Sequence, residues 1–170
     1  MRINRFPRRA FLLGGVAAFL AGCADKFRGY NGPPVARVRV YKSKRLMVLD
    51  GHKRVLKTYP IGLGFAPEGH KQFEGDGKTP EGRYVIDRRN PNSLFHLSIG
   101  VSYPNAQDRA FARAQGKSPG GDIFIHGGPR AGIDDMDKKD WTAGCIAVTN
   151  RQMEQVYAMV RNGTPIEIYS

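Results

Sequence analysis

Residues 37–41, Arg37-Val38-Arg39-Val40-Tyr41, alternate outward and inward side chains with period two. That period suits a half-buried β-strand and no helix. Leu46-Met47-Val48-Leu49 is a second apolar run, Asp50-Gly51 a hairpin turn signal, and Val55-Leu56-Lys57-Thr58-Tyr59 the returning strand. Further strand candidates are residues 83–86, 95–99, 123–126 and 165–169, and residues 145–148 are a short apolar run. Two segments read as helices. Asn105 caps residues 106–114, with Gly116 as the stop, and Thr149 with Gln152 forms a capping box ahead of Met153, Val156, Tyr157 and Val160, ended by Gly163. Residues 62–82 are rich in glycine and proline and carry Glu68, Glu74, Asp76 and Glu81, so they read as a long loop, and long loops in compact domains tend to be functional. The expected fold is mainly β, a sandwich or open barrel with two short helices.

The chain has 170 residues, enough for one ordinary domain. Its first 22 residues are of another kind. Arg2, Arg5, Arg8 and Arg9 precede an uncharged apolar run over 10–21 that is too short for a permanent membrane span. This is the pattern of a secretory signal peptide. Leu20-Ala21-Gly22-Cys23 resembles the bacterial lipobox, in which the cysteine is lipidated and becomes the first residue. Pro7-Arg8-Arg9-Ala10-Phe11-Leu12 resembles a twin-arginine export signal. The division expected is a lipoprotein signal peptide over 1–22, a lipidated tether over 23–35 and one folded domain over 36–170. Ala24 after the cysteine leans towards the outer membrane. An ordinary signal peptide with a chance Cys23, or a Cys23–Cys145 disulfide, are the alternatives.

Loss of the leader removes four arginines and no acid, lowering the formal charge from +12 to +8. Excess positive charge favours polyanions or simply keeps a protein soluble. With export expected and no nucleic-acid motif, the anionic partners available are wall polymer and lipid headgroups.

Cys145, in Asp140-Trp141-Thr142-Ala143-Gly144-Cys145, is the one thiol that lipidation leaves over. A glycine before a nucleophile lets the backbone bend sharply, and amides there can face an oxyanion. A thiol needs a base, and His126, at the end of a strand and followed by Gly127-Gly128, is the best candidate. Taken alone, a cysteine and a histidine are more often packing than catalysis.

The segments Ile125-His126-Gly127-Gly128 and Thr142-Ala143-Gly144-Cys145-Ile146-Ala147-Val148 together resemble the YkuD-type L,D-transpeptidase catalytic domain. Glu74-Gly75-Asp76-Gly77-Lys78-Thr79-Pro80-Glu81-Gly82 and Phe95-His96-Leu97-Ser98 extend the resemblance across 36–169. It implies Cys145 as nucleophile towards peptidoglycan stem peptides, His126 as base, the Gly127 carbonyl as its orienter, and backbone amides around Gly144 and Cys145 as oxyanion donors. It implies no metal or organic cofactor. His96, matching a histidine of close relatives, faces either substrate or core. Trp141 packs under the active-site loop or lines the groove, and Thr142 is a candidate substrate contact. Two positions depart from the pattern. Ala143 and Ala147 stand where the family often has histidine and arginine, which leaves the acceptor open. An L,D-transpeptidase is expected, with a cysteine amidase or peptidase and an inactive wall-binding lipoprotein as the other readings. A monomer is expected. His52 and His70 are expected in solvent. Asp134, Asp135 and Asp137 resemble part of a calcium loop but lack its later glutamate, so a solvated acidic face is preferred.

Overall fold

The computed structural model describes residues 26–130 and 138–170. Strands β1 (Arg37–Tyr41), β2 (Leu46–Asp50) and β3 (Val55–Pro60) form an antiparallel meander. The chain continues through β4 (Gly82–Asn90), β5 (Ser98–Val101), α1 (Ala106–Ala114), β6 (Phe124–His126), β7 (Ile146–Ala147), α2 (Asn150–Met159) and β8 (Pro165–Tyr169). The sheet order is β3-β2-β1-β8-β4-β5-β6-β7, with β8 parallel to β1 and β7 parallel to β6. The result is the mainly β fold expected, an eight-stranded sheet curled into a half-barrel with two helices.

The period-two reading of β1 holds, since Val38 and Val40 are fully buried. They join Leu97, Ile99, Ile125, Ile146 and Ile166 in one core, with Met153 and Val156 of α2 packed into it. Each such side chain contributes about 1.5–3 kcal/mol by leaving water. Both helix starts carry capping boxes, Asn105 with Asp108 and Thr149 with Gln152.

Three expectations are corrected. The hairpin after β2 does not turn at Asp50-Gly51. Asp50 stays in the strand, where its carboxylate takes two hydrogen bonds from Arg39 of β1 at 2.5 and 2.8 Å, and the turn closes from Gly51 N–H to the Arg54 carbonyl. The strand expected over 95–99 begins only at Ser98, because His96 has φ +72°, outside the extended region. The expected tether is docked from residue 26 onward: Tyr30 and Val35 pack against the core, and Lys26 donates to the carbonyl of Pro91 at 2.6 Å.

One topological feature positions residues 142–147. The chain leaving β3, at one edge of the sheet, pairs with β7 and its preceding turn, at the other. Gly62 and Ala147 exchange two backbone hydrogen bonds at 2.9 Å, Thr142 N–H donates to Leu63, and Phe65 N–H donates to Thr142. The curled sheet is thus seamed where residues 142–147 pass.

Candidate active site

Cys145 lies on that seam, immediately before β7. The parallel register sets Ile125 against Ile146 and His126 against Ala147. The isoleucines face the core, so Phe124, His126, Cys145 and Ala147 share the opposite face, which makes His126 and Cys145 diagonal neighbours on adjacent chains. The Phe124 N–H donates to Cys145 Sγ at 3.4 Å, and Sγ donates to the Asp122 carbonyl at the same distance. Burial pushes the thiol above its ordinary range, and Asp122 adds to this, while the Phe124 amide, Lys71 and Arg88 oppose it. The group therefore rests as S–H. Among the described residues it is a free thiol.

The His126 ring is 3% exposed. Its Nδ1 lies 2.7 Å from the Gly127 carbonyl. A carbonyl only accepts, so Nδ1 carries the proton and the neutral ring has its lone pair on Nε2, the tautomer a base needs. Gly127 is fixed in turn. Its N–H donates to the Phe95 carbonyl at 3.0 Å, and a Cβ there would stand 2.5 Å from both that oxygen and Asn150 Oδ1. Asn150 Oδ1 also accepts from Gly128 N–H. The Phe95 ring lies 4.4 Å from the imidazole and the Trp141 ring 5.5 Å from it, edge-on.

The turn before Cys145 is held by its own side chains. The Thr142 hydroxyl donates to the Cys145 carbonyl at 2.7 Å and accepts from Gly144 N–H at 3.1 Å. Thr142 is buried, and this places it as a brace of the turn and not as a substrate contact. The same bond commits the Gly144 amide, expected as an oxyanion donor. Among the described residues nothing accepts from the Cys145 amide. Replacing Thr142 with valine would leave the buried Gly144 N–H unpaired, which costs about 1–3 kcal/mol. A clear fall in thermal midpoint is expected, and an unchanged midpoint would dismiss the brace. Upstream, Asp140 takes a forked pair of bonds from Arg45, in the β1–β2 turn, and one from Leu63 N–H.

The long loop over 62–82 packs directly on this turn. Gly144, at φ +133°, has room only for hydrogen, since a Cβ would sit 2.6 Å from the Lys78 carbonyl. Two buried lysines staple the loop. Lys42 donates to the carbonyls of Gly69 and Thr79 and to Glu81, and Lys71 donates to Phe73 and to Asp76. Burial pushes the Lys42 ammonium down, against the opposing pull of Glu81. Asp76 is the loop's hub, accepting from the amides of Gln72, Phe73 and Lys78 as well as from Lys71. Burial alone would raise its carboxyl, but these donors win and hold it below the usual range. Its stabilisation is therefore complete above the unfolded-state value of about 3.9 and is lost as pH falls through the lower folded value. Asp76→Asn is expected to lower the melting temperature near neutrality and to flatten its fall below about pH 4. Parallel acid profiles of parent and variant would expose the idea as wrong.

The remaining sequence candidates are placed as follows. His96 does not sit on a strand; its Nε2 bonds Glu154 at 3.1 Å. His52 is exposed, as expected. His70 is not a solvent residue: the Glu81 N–H donates to its Nδ1, and its Nε2 bonds Asp108. Cys23, Asp134, Asp135 and Asp137 lie outside the described residues. Sequence reasoning does not single out Phe95, which acts through its carbonyl on Gly127 and its ring on His126, or Asn150, which acts through one oxygen on Gly128. A cleft of about 280 Å³ opens beside Trp141 and Ala147, lined also by Ile61, Gly62, Gly128 and Gln152. Among the described residues no group of three histidines, cysteines or carboxylates could hold a metal.

Residues 36–168 match the family model of the YkuD L,D-transpeptidase catalytic domain. The chain belongs to this family. It is 31% identical over 157 residues to YafK of Escherichia coli strain K12, whose own L,D-transpeptidase name is provisional, covering 89% of the chain and 57% of YafK. Among solved structures it resembles the helical cell shape determining protein Pgp2 of Campylobacter jejuni, with 32% identity and a TM-score of 0.60 over 87% of the chain and 51% of Pgp2. Bd1075 of Bdellovibrio bacteriovorus follows, with 25% identity and a TM-score of 0.56 over 84% of the chain and 50% of Bd1075. The chain thus spans a little over half the length of the curated relative and about half of these structures.

Proposed function

We propose that the chain is a cysteine-dependent L,D-transpeptidase acting on peptidoglycan stem peptides. The observation that carries this is the relay from the Gly127 carbonyl through His126, with its Nε2 lone pair on the sheet face that also bears Cys145. Family membership supplies the substrate class. His126 Nε2 takes the Cys145 proton as Sγ attacks the carbonyl carbon of a stem-peptide amide. The Cys145 amide faces the oxyanion. Collapse breaks the C–N bond, and His126 returns the proton to the departing amine, leaving a thioester. An incoming amine then gives a proton to His126 as it attacks the thioester carbonyl; the C–S bond breaks and His126 returns that proton to the departing Cys145 sulfur. The cleft over Ala147, where a longer side chain would intrude, offers room for an acceptor larger than water.

The leader and Cys23 support an exported lipoprotein facing the periplasm, the outer membrane favoured, with its excess positive charge suited to anionic wall polymer. The likeness to Pgp2, a cell shape determining protein, supports a role in cell shape. The test is incubation of the full chain, with a Cys145→Ala control, with tetrapeptide muropeptides and a D-amino acid, followed by product masses. Cross-linked or exchanged products absent from the control are expected. Cysteine-dependent cleavage without transfer would make the protein a hydrolase, and no reaction with any acceptor amine would leave a wall-binding lipoprotein.

A further inference from the structure

Residues 26–28 grip the part of the domain that supports His126. Lys26 Nζ donates to the carbonyls of Pro91 at 2.6 Å and His96 at 3.3 Å. Arg28 Nε donates to Glu154 Oε2 at 2.7 Å, and the other oxygen of that carboxylate lies 3.1 Å from His96 Nε2. A carboxylate only accepts, so His96 carries its proton there. The Phe27 ring packs on Tyr157, three residues further along α2. Arg28 first, and His96 after it, holds the Glu154 carboxyl below the usual range, so it is ionised in this cluster.

His96 itself has φ +72°, unfavourable for a residue with a Cβ, so its partners hold it there. The residue before it, Phe95, gives its carbonyl to Gly127 N–H and lays its ring on His126, and the Gly127 carbonyl holds His126 Nδ1. Unbroken contacts therefore run from Arg28 through Glu154, His96, Phe95 and Gly127 to His126.

We propose that Glu154 and His96 are positioning residues for His126, and that the N-terminal segment 26–28 completes their support. The segment next to the proposed anchor is then part of the active-site scaffold and not a free leash. Without the Glu154 carboxylate, His96 loses its acceptor, its unfavourable backbone relaxes, and the Phe95 carbonyl shifts from Gly127. The inference rests on the reading of His126 as base.

The test uses the full chain and the variants Glu154→Ala, Glu154→Gln, Arg28→Ala and His126→Ala. Two quantities are read: the rate of Cys145 alkylation by iodoacetamide across pH, and the tautomer of His126 from its imidazole ¹⁵N shifts. Glu154→Ala is expected to slow alkylation at neutral pH by about tenfold, since small misplacements of a reacting group are costly. It should also deplete the Nδ1–H tautomer. With a muropeptide, kcat should fall by the same factor and KM should hold. Glu154→Gln, whose amide oxygen still accepts from His96, should recover most of the loss, and Arg28→Ala should fall between. Should Glu154→Ala fail to fold, Arg28→Ala, a change on a half-exposed side chain, carries the test. A folded Glu154→Ala protein with the parent's alkylation rate and tautomer overturns the inference. If His126→Ala alkylates like the parent, the base reading has failed instead, and the tautomer still decides whether Glu154 positions the ring.

Discussion

His126→Ala is expected to slow thioester formation by about 10²- to 10⁴-fold, the range a positioned general base supplies. Burial pushes Cys145 up, and its proton is directed at the Asp122 carbonyl, so little thiolate is present at neutral pH. On the proposed function, the nucleophile is therefore made during attack, by transfer to the Nε2 that the Gly127 carbonyl leaves unprotonated. In the parent, alkylation of Cys145 should keep a His126-assisted rate near neutrality and climb further only as pH passes above the ordinary thiol value of about 8.5. In His126→Ala the residual acyl transfer should follow hydroxide without a break in the imidazole range. A plateau of fast alkylation reaching down to about pH 5 would mean a preformed thiolate–imidazolium pair, and this account of the site would have to be abandoned.

The sequence signals that proved readable are those whose physics is local. Val38 and Val40 fall on one face because strands alternate, and Asn105 and Thr149 begin helices because their side chains reach amides two or three residues on. Cys145 and His126 were legible through motif resemblance, and the β6–β7 register explains why the 18 intervening residues do not separate them. What escaped depends on partners distant in sequence. The seam between residues 62–65 and 142–147 consists of isolated bridges with no periodicity. Arg28 meets its carboxylate 126 residues away, so a docked segment read as a tether. Thr142 read as a substrate contact because a hydroxyl beside a nucleophile looks available, and only the fold shows that both its bonding directions are used within the turn. His96 broke a strand pattern through one backbone angle that hydrophobicity does not encode.

Gly64→Ala should be the most damaging single methyl in the domain. The backbone angle at Gly64 is not in the left-handed region, so a propensity argument would rate the change as harmless or mildly stabilising. Space says otherwise. A Cβ at Gly64 would stand 2.0 Å from the Gly77 carbonyl oxygen and 2.9 Å from the Gly144 Cα, both backbone atoms that no rotamer change can clear. The Gly77 carbonyl cannot withdraw easily, because it accepts from Ala66 N–H and belongs to the turn that Asp76 gathers. Gly144 cannot withdraw either, lying between this residue and the Lys78 carbonyl. Overpacking against fixed backbone costs about 3 kcal/mol or more, a fall of roughly 10 °C in melting temperature for a domain of this size. Whatever relaxation does occur moves Gly144, and Cys145 with it. A shift of about 1 Å in the nucleophile is enough to lower turnover by about 100-fold even in the fraction that folds. Gly75→Ala is the informative comparison, since Gly75 has φ +78° but open space around its Cβ direction. It should cost only about 1 kcal/mol, the penalty of the left-handed backbone, and leave turnover close to the parent's. Equal losses from the two variants would show that backbone conformation, and not the contact of the long loop with the catalytic turn, governs this seam. A large loss confined to Gly64→Ala would locate the constraint in that contact.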